Sequence, residues 1–265
     1  SILAAVEAGD PVAELLHGQD LIADGVYAEG VRLVTAAASD GLSAAQYRLA
    51  KLHERGLGVS RDIATARTWT ERSAAGNNVK AMHDLAVFYA EGEGGEQNYA
   101  KAAEWFGKAA AYGVVDSQYN LAVLFERGLG VTQNLPEAAF WFAAAERAGD
   151  SGAGARLATL HDKMPADTHA DAVARAERWQ PTPLDASANG DFEARSWGFG
   201  APNQVRAVQN AFIAMGYDRV SSTGEIDSAT ATAIRGYEAA NGLPDTGRLT
   251  PALVRALNEG ATIAS

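Results

Sequence analysis

The sequence predicts an all-α fold: a solenoid of helical hairpins followed by a C-terminal three-helix module. Three observations carry that expectation. Trp69, Trp105 and Trp141 stand 36 residues apart. Gly56, Gly92 and Gly128 keep the same interval, as do Gly58, Gly94 and Gly130, and Ala50, Ala86 and Ala122. Beyond residue 203, well after the period has stopped, three apolar-faced helical segments follow. A bulky anchor at fixed spacing marks stacked units that cannot bury their apolar faces alone.

Residues 1–180 are assigned to the solenoid. A degenerate first unit covers 9–39, with Leu33 at the tryptophan position. Full units follow at 40–75, 76–111 and 112–147. In the first of these, Ser43 to Arg55 puts Ala45, Leu49, Ala50 and Leu52 on one helical face. Gly56-Leu57-Gly58 stops that helix, since glycine adopts the left-handed geometry of a C-terminal cap. The second helices start at Asp62, Asn98 and Asn134, whose side chains accept from free N–H groups of the first turn. Gly41, Asn77, Gly113 and Gly149 fall between units, where φ turns positive. The small residues at 50, 86 and 122 let paired helices approach, with the tryptophan filling the space beside them.

A capping half-unit spans 148–180. There Ala153, Leu157, Ala158 and Leu160 continue the first-helix pattern and the glycine loop fails at Met164-Pro165. A helix over about 167–179 carries Trp179, which is expected to cover the last unit. Residues 181–203 hold Pro181, Pro183, Asn189, Gly190, Gly198, Gly200 and Pro202 and read as a linker. Trp197 and Phe199 within it are expected to dock on a neighbouring domain. The module covers 204–260. Its first helix, about 203–215, turns Val205, Val208, Phe212 and Met215 inward. Its second begins after Asp227 or Ser228 with Ile234 and Tyr237 on the apolar face. Its third opens at Thr250-Pro251 and carries Leu253, Val254 and Leu257.

Composition narrows the function. The net charge is −11, and all but about −1 of it lies before residue 200. No basic stripe exists, which argues against nucleic acid and against an anionic membrane surface as partners. No cysteine is present, so disulfides and thiolate metal sites are excluded. No run of 18 apolar residues occurs. Ser1-Ile2-Leu3-Ala4 lacks the charged start of a signal peptide and reads as a cut end, with a signal or membrane anchor expected upstream.

Catalytic patterns fail on context. Gly149-Asp150-Ser151-Gly152 spells the surroundings of a serine-protease nucleophile, yet it falls at an inter-unit turn without ordered His and Asp partners. His53-Glu54 begins a zinc-protease motif with no second histidine at the needed spacing. No enzyme activity, cofactor or metal is expected.

Binding surfaces remain. By helical phase Tyr47, Lys51 and Arg55 face the inner, concave side of the solenoid, followed by His83, Val87 and Glu91, then Tyr119, Val123 and Arg127. Tyr47, His83 and Tyr119 form an aromatic stripe. It suits either the anchoring of a partner peptide or mere padding between helices, and both readings stay open.

The residues now named carry two resemblances. Ala45-Gln46-Tyr47, Leu49, Gly56-Leu57-Gly58-Val59 and Trp69, and again Gln118-Tyr119, Leu121, Gly128-Leu129-Gly130-Val131 and Trp141, resemble Sel1-like repeats, over about residues 9–162. Val208-Gln209, Met215-Gly216-Tyr217, Thr230, Ala233-Ile234, Asn241-Gly242-Leu243-Pro244, Gly247, Thr250 and Leu253 resemble the peptidoglycan-binding type 1 module. Two features depart from that family: Glu238 follows Tyr237 where glutamine is common, and the loop Asp218–Thr223 is unusual.

The second resemblance implies a peptidoglycan site, for which Asp227, Thr230, Tyr237, Asn241 and Arg248 are the candidates. Tyrosine stacks on sugar, asparagine bonds an amide, and arginine pairs with a stem carboxylate. For Asp227 a helix cap, and for Thr230 packing, are the competing roles. The order of parts resembles the periplasmic region of PodJ-type polar localisation factors. That likeness implies a non-enzymatic scaffold in the periplasm, tethered to the inner membrane by an upstream segment. Its solenoid would recruit protein partners and its module would hold peptidoglycan. The alternatives are an accessory regulator of a cell-wall hydrolase and a signalling adaptor whose module has lost glycan binding.

Overall fold

A computed structural model describes residues 2–7, 9–192, 202–243, 245–250, 253–254 and 256–257. Among them there are thirteen helices and no strand. In chain order these are α1 (Ile2–Glu7), α2 (Pro11–Ala23), α3 (Tyr27–Ser39), α4 (Ser43–Arg55), α5 (Ile63–Ala75), α6 (Val79–Glu91) and α7 (Tyr99–Ala111). They continue with α8 (Val115–Arg127), α9 (Leu135–Arg147), α10 (Ala153–His161), α11 (Ala166–Arg178), α12 (Pro202–Ala214) and α13 (Ser228–Ala240). The chain divides into two units, Glu14–Asp191 and Ser1–Ala13 with Phe192–Ser265. Among the described residues no helix is long and apolar enough to cross a membrane.

In the unit Glu14–Asp191, helices α4 to α9 pair as hairpins that stack side by side. Each first helix ends on a left-handed glycine: Gly56, Gly92 and Gly128 have φ of 68°, 75° and 67°. Each second helix begins on the expected cap. The Asp62, Asn98 and Asn134 side chains accept from Thr65, Lys101 and Glu137 N–H, each at 3.0 Å. The caps' own N–H groups return to His53, Tyr89 and Phe125 carbonyls at 3.0, 2.7 and 2.9 Å, closing the loop. Asn77, with φ of 68°, is the one non-glycine residue at positive φ among those described.

Units are joined by small surfaces. Gln46 and Gln118 are buried and donate to Ala38 and Ala110 carbonyls, at the end of the preceding second helix, at 3.1 and 3.3 Å. The second loop glycine touches the preceding unit. A Cβ on Gly58 would meet Tyr27 and Val31; on Gly94 it would lie 2.7 Å from the Ile63 carbonyl; on Gly130 it would strike the backbone at Tyr99-Ala100. The first hairpin, α2 against α3, closes where Gly18 and Gly30 face each other, each barring a Cβ on the other.

The tryptophans differ from expectation in depth. All three are half-buried, while the fully buried positions are the alanines with Phe106 and Phe142 beside them. Trp69 lies under Arg72 and Trp105 under Lys108, at 4.5 and 4.0 Å from cation to ring centre. Trp141 instead meets Phe140 and Trp179 edge to face, at 4.7 and 5.8 Å. Helix α11 packs on α9 through Ala172 and Ala176, and Arg147 ties down its end by donating to Ala176 and Trp179 carbonyls. Trp179 therefore covers the last unit.

The segment read as a linker is, in its first half, a strap on the solenoid. Thr182 N–H donates to Ala111 carbonyl at 2.8 Å. Asn78, itself the cap of α6, donates to Ala188 carbonyl at 2.8 Å. Asn189 accepts from Val79 N–H at 2.9 Å and donates to Asn77 carbonyl at 3.2 Å. Trp197 and Phe199, expected to dock, lie outside the described residues.

In the other unit, α12 and α13 enclose a core of Val208, Phe212, Ile234, Tyr237, Leu253 and Val254. Leu253, Val254, Ala256 and Leu257 have helical backbone, and Leu253 N–H donates to the Thr250 hydroxyl, as a cap at that threonine requires. Met215 does not turn inward: it is 43% exposed, because α12 ends at Ala214 and the chain turns through Gly216 before its side chain reaches the core.

Candidate functional site

In the aromatic stripe on the first helices, Tyr47 and His83 make polar joints between units, whereas Tyr119 packs on a ring of its own hairpin. Tyr47, Lys51, His83, Val87, Tyr119 and Val123 are half-buried, while Arg55 and Arg127 are exposed. Tyr47 donates its hydroxyl to Asp84 at 3.0 Å, and Lys51 bridges Asp84, at 3.2 Å, and Glu54. Burial pushes the Tyr47 hydroxyl well up from its ordinary value, and the Asp84 carboxylate adds to the shift. Burial works to lower Lys51, but its bonds to Glu54 and Asp84 outweigh that and raise it. His83 shares a hydrogen bond of 2.8 Å with Ser117 and packs on Phe106. Tyr119 sits edge-on to Phe142 at 5.3 Å. The partner groups Asp84 and Ser117 carry no signal of their own in the sequence, because short polar residues on a helix read as a solvated face.

Gly149-Asp150-Ser151-Gly152 is a turn. Asp150 accepts from Gly152 and Ala153 N–H, both at 2.8 Å. Among the described residues no cluster of three metal-ligating side chains exists.

In the small module four of the five expected binding residues make bonds that hold the fold. Asp227 caps α13, accepting from Thr230 N–H at 2.7 Å, and those bonds hold its carboxyl below the ordinary value. Thr230 is fully buried and accepts from Gln209. Tyr237 is buried and donates to Ala256 carbonyl at 2.9 Å. Asn241 closes α13 by donating to Tyr237 carbonyl. Asp227, Asn241 and Arg248 are exposed. Of the five, the first four are held by the fold through these bonds.

The two departures from the family pattern acquire roles. Glu238 is 1% exposed and accepts from Thr246 and Gly247 N–H at 2.8 and 3.0 Å, so it clamps the loop after α13. Burial acts to raise its carboxyl, but the Thr246 hydroxyl and those N–H groups, with Arg235 nearby, hold it below the ordinary value of 4.5. Gln209, fully buried, likewise fixes the loop before α13 through Thr223, Gly224, Glu225 and Thr230.

That pinned loop walls an open cavity of about 540 Å³. Tyr217, Asp218, Arg219 and Val220 form one side. One face of α13, from Ser228 through Thr232 to Gly236, forms the other. A Cβ at Gly236 would meet nothing within 4 Å. The cavity escaped the sequence because its floor is made by side chains that are small or absent.

A stack of helical hairpins with polar inter-unit joints, joined in one chain to a small helical module with an open cavity, defines a helical-repeat protein carrying a separate small module. Comparison with known proteins gives both parts a family. Residues 43–78, 79–113 and 115–150 match the Sel1 repeat, and residues 202–257 match the putative peptidoglycan binding domain. The chain thus carries Sel1 repeats and a peptidoglycan-binding type 1 domain, and domains of both kinds are typically non-catalytic. The fold is similar to that of a Sel1 repeat protein from Oxalobacter formigenes, at 20% identity over 82% of this chain and 85% of that one, with a TM-score of 0.55. It is also similar to a protective antigen of uropathogenic Escherichia coli strains that displays an SLR fold, at 23% identity with a TM-score of 0.57. That match covers 91% of this chain and 59% of the antigen. No curated protein matches the sequence.

Proposed function

We propose that the chain is a non-enzymatic scaffold of the periplasm whose C-terminal module holds peptidoglycan while its solenoid recruits partner proteins. The observation that carries this reading is the joining, in one chain, of three Sel1 repeats to a peptidoglycan-binding domain with an open cavity. Sel1 repeats point to protein interaction, and the terminal domain points to the cell wall. The order of parts also supports a finer role, that of the outer half of a polar localisation factor tethered through an upstream membrane anchor.

The deciding experiment is co-sedimentation of the intact chain with purified sacculi. Pelleting that saturates supports the wall-anchored reading. A chain left in the supernatant favours the adaptor reading and removes the periplasmic assignment. Capture from an envelope extract on the immobilised chain then tests recruitment, and return of only a wall hydrolase would turn the reading into hydrolase regulation.

A further inference from the structure

We propose that the cavity between the Tyr217–Val220 loop and α13 takes the peptide stem of peptidoglycan, at a diamino-acid residue whose amino and carboxyl groups are both free. The inference rests on the wall-anchoring reading and specifies its ligand.

The cavity, about 540 Å³, lies in the size range of ligand pockets. Its rim carries opposite charges on adjacent residues, Asp218 and Arg219. Both are exposed, and among the described residues neither side chain makes a hydrogen bond or ion pair. A guanidinium presents a planar fork to a carboxylate, and a neighbouring carboxylate accepts from an ammonium. An amino acid with both groups free offers that pair of charges on one carbon; a glycan strand does not.

The floor argues the same way. Glycine inside a helix is disfavoured relative to alanine, and packing demands no glycine at 236, since a Cβ there would meet empty space. Its bareness lets a ligand's main chain lie close to α13. Ala229 and Ala233 line the floor beside it with methyl groups, which suit the methyl side chains of alanyl residues. Sugar recognition favours an open aromatic platform, whereas the Tyr217 ring is taken up edge-to-face against Phe212 at 5.1 Å.

The test measures binding of the intact chain to a disaccharide-tetrapeptide monomer containing diaminopimelate. The comparison ligands are the same monomer with its side-chain amine acetylated and glycan strands stripped of stems by an amidase. Gly236→Leu fills the floor and Arg219→Gln removes the fork. Each should weaken monomer binding by about tenfold or more, with a melting temperature no lower than the parent's. Acetylation should weaken binding to the parent similarly, and stripped glycan should not compete.

If the parent pellets with sacculi but both variants bind monomer as it does, or stripped glycan competes equally, the cavity is not the stem site and wall anchoring stands. If the parent binds neither sacculi nor monomer, the anchoring reading falls and this inference with it.

Discussion

Among single residues, depth rather than bulk decides cost. Trp105 is half-buried at a unit seam with Lys108 across its face, whereas Phe142 is fully buried. Complete burial makes truncation of a large aromatic cost about 3–5 kcal/mol. Phe142→Ala should fall in that range, and Trp105→Ala should cost less, about 2 kcal/mol, because part of its surface stays in water. Thermal unfolding of the two variants should rank them in that order. The period singles out the tryptophan as the marker of each unit, but periodicity reports position, not burial.

Glu238 gives a pH prediction. Its carboxyl is held below 4.5, so its contribution to stability is present above that value and is lost as pH falls through the lower folded value. The protection of the Thr246 and Gly247 amides, taken relative to the intrinsic exchange rate at each pH, should therefore fall as the solution is acidified past that point. Glu238→Gln should exchange faster at neutral pH and lose most of this acid dependence. An unchanged acid profile in the variant would show that another group opens the loop. The glutamate that departs from the family pattern is, by its buried hydrogen bonds, a loop clamp.

Helices and loops were legible where local chemistry determines them. Asp62, Asn98 and Asn134 were readable as caps because a side-chain oxygen before an apolar run has one local use. The strap was not. Pro181, Pro183 and Gly190 break a helix equally well in a free tether and in a segment lying on a surface. What distinguishes the two is pairing with Asn77, Asn78 and Val79, more than 100 residues away in the chain. Asn189→Ala removes both its bond from Val79 N–H and its bond to Asn77. The variant should lose about 1 kcal/mol of solenoid stability and become open to protease cleavage within 181–191. Cleavage kinetics like the parent's would mean that the strap is held elsewhere.

For the molecule as a whole, charge sets the conditions of wall binding. The chain carries −11, with no basic stripe to steer it to an anionic polymer. Long-range repulsion should weaken sacculus binding at low ionic strength. Raising salt from about 0.01 M to about 0.15 M shortens the Debye length from roughly 30 Å to 8 Å, and co-sedimentation should rise or hold steady. A steep fall with salt would mark attraction dominated by basic residues. The fold class was legible because a repeat multiplies each weak signal, so three copies of one glycine loop say more than any single loop could. The cavity was illegible for the opposite reason: it lies outside the repeat and is defined by missing atoms.

The contact made by Gly58, Gly94 and Gly130 has a genetic corollary. Each meets the residues 31 positions earlier, at Tyr27, Ile63 and Tyr99, so every junction presents like ends to like ends. Excision of a 36-residue block, or its tandem duplication, would rejoin matching surfaces with no new interface to invent. The length of the array is then free to drift by unequal recombination, provided that the breakpoints preserve the frame of that one glycine.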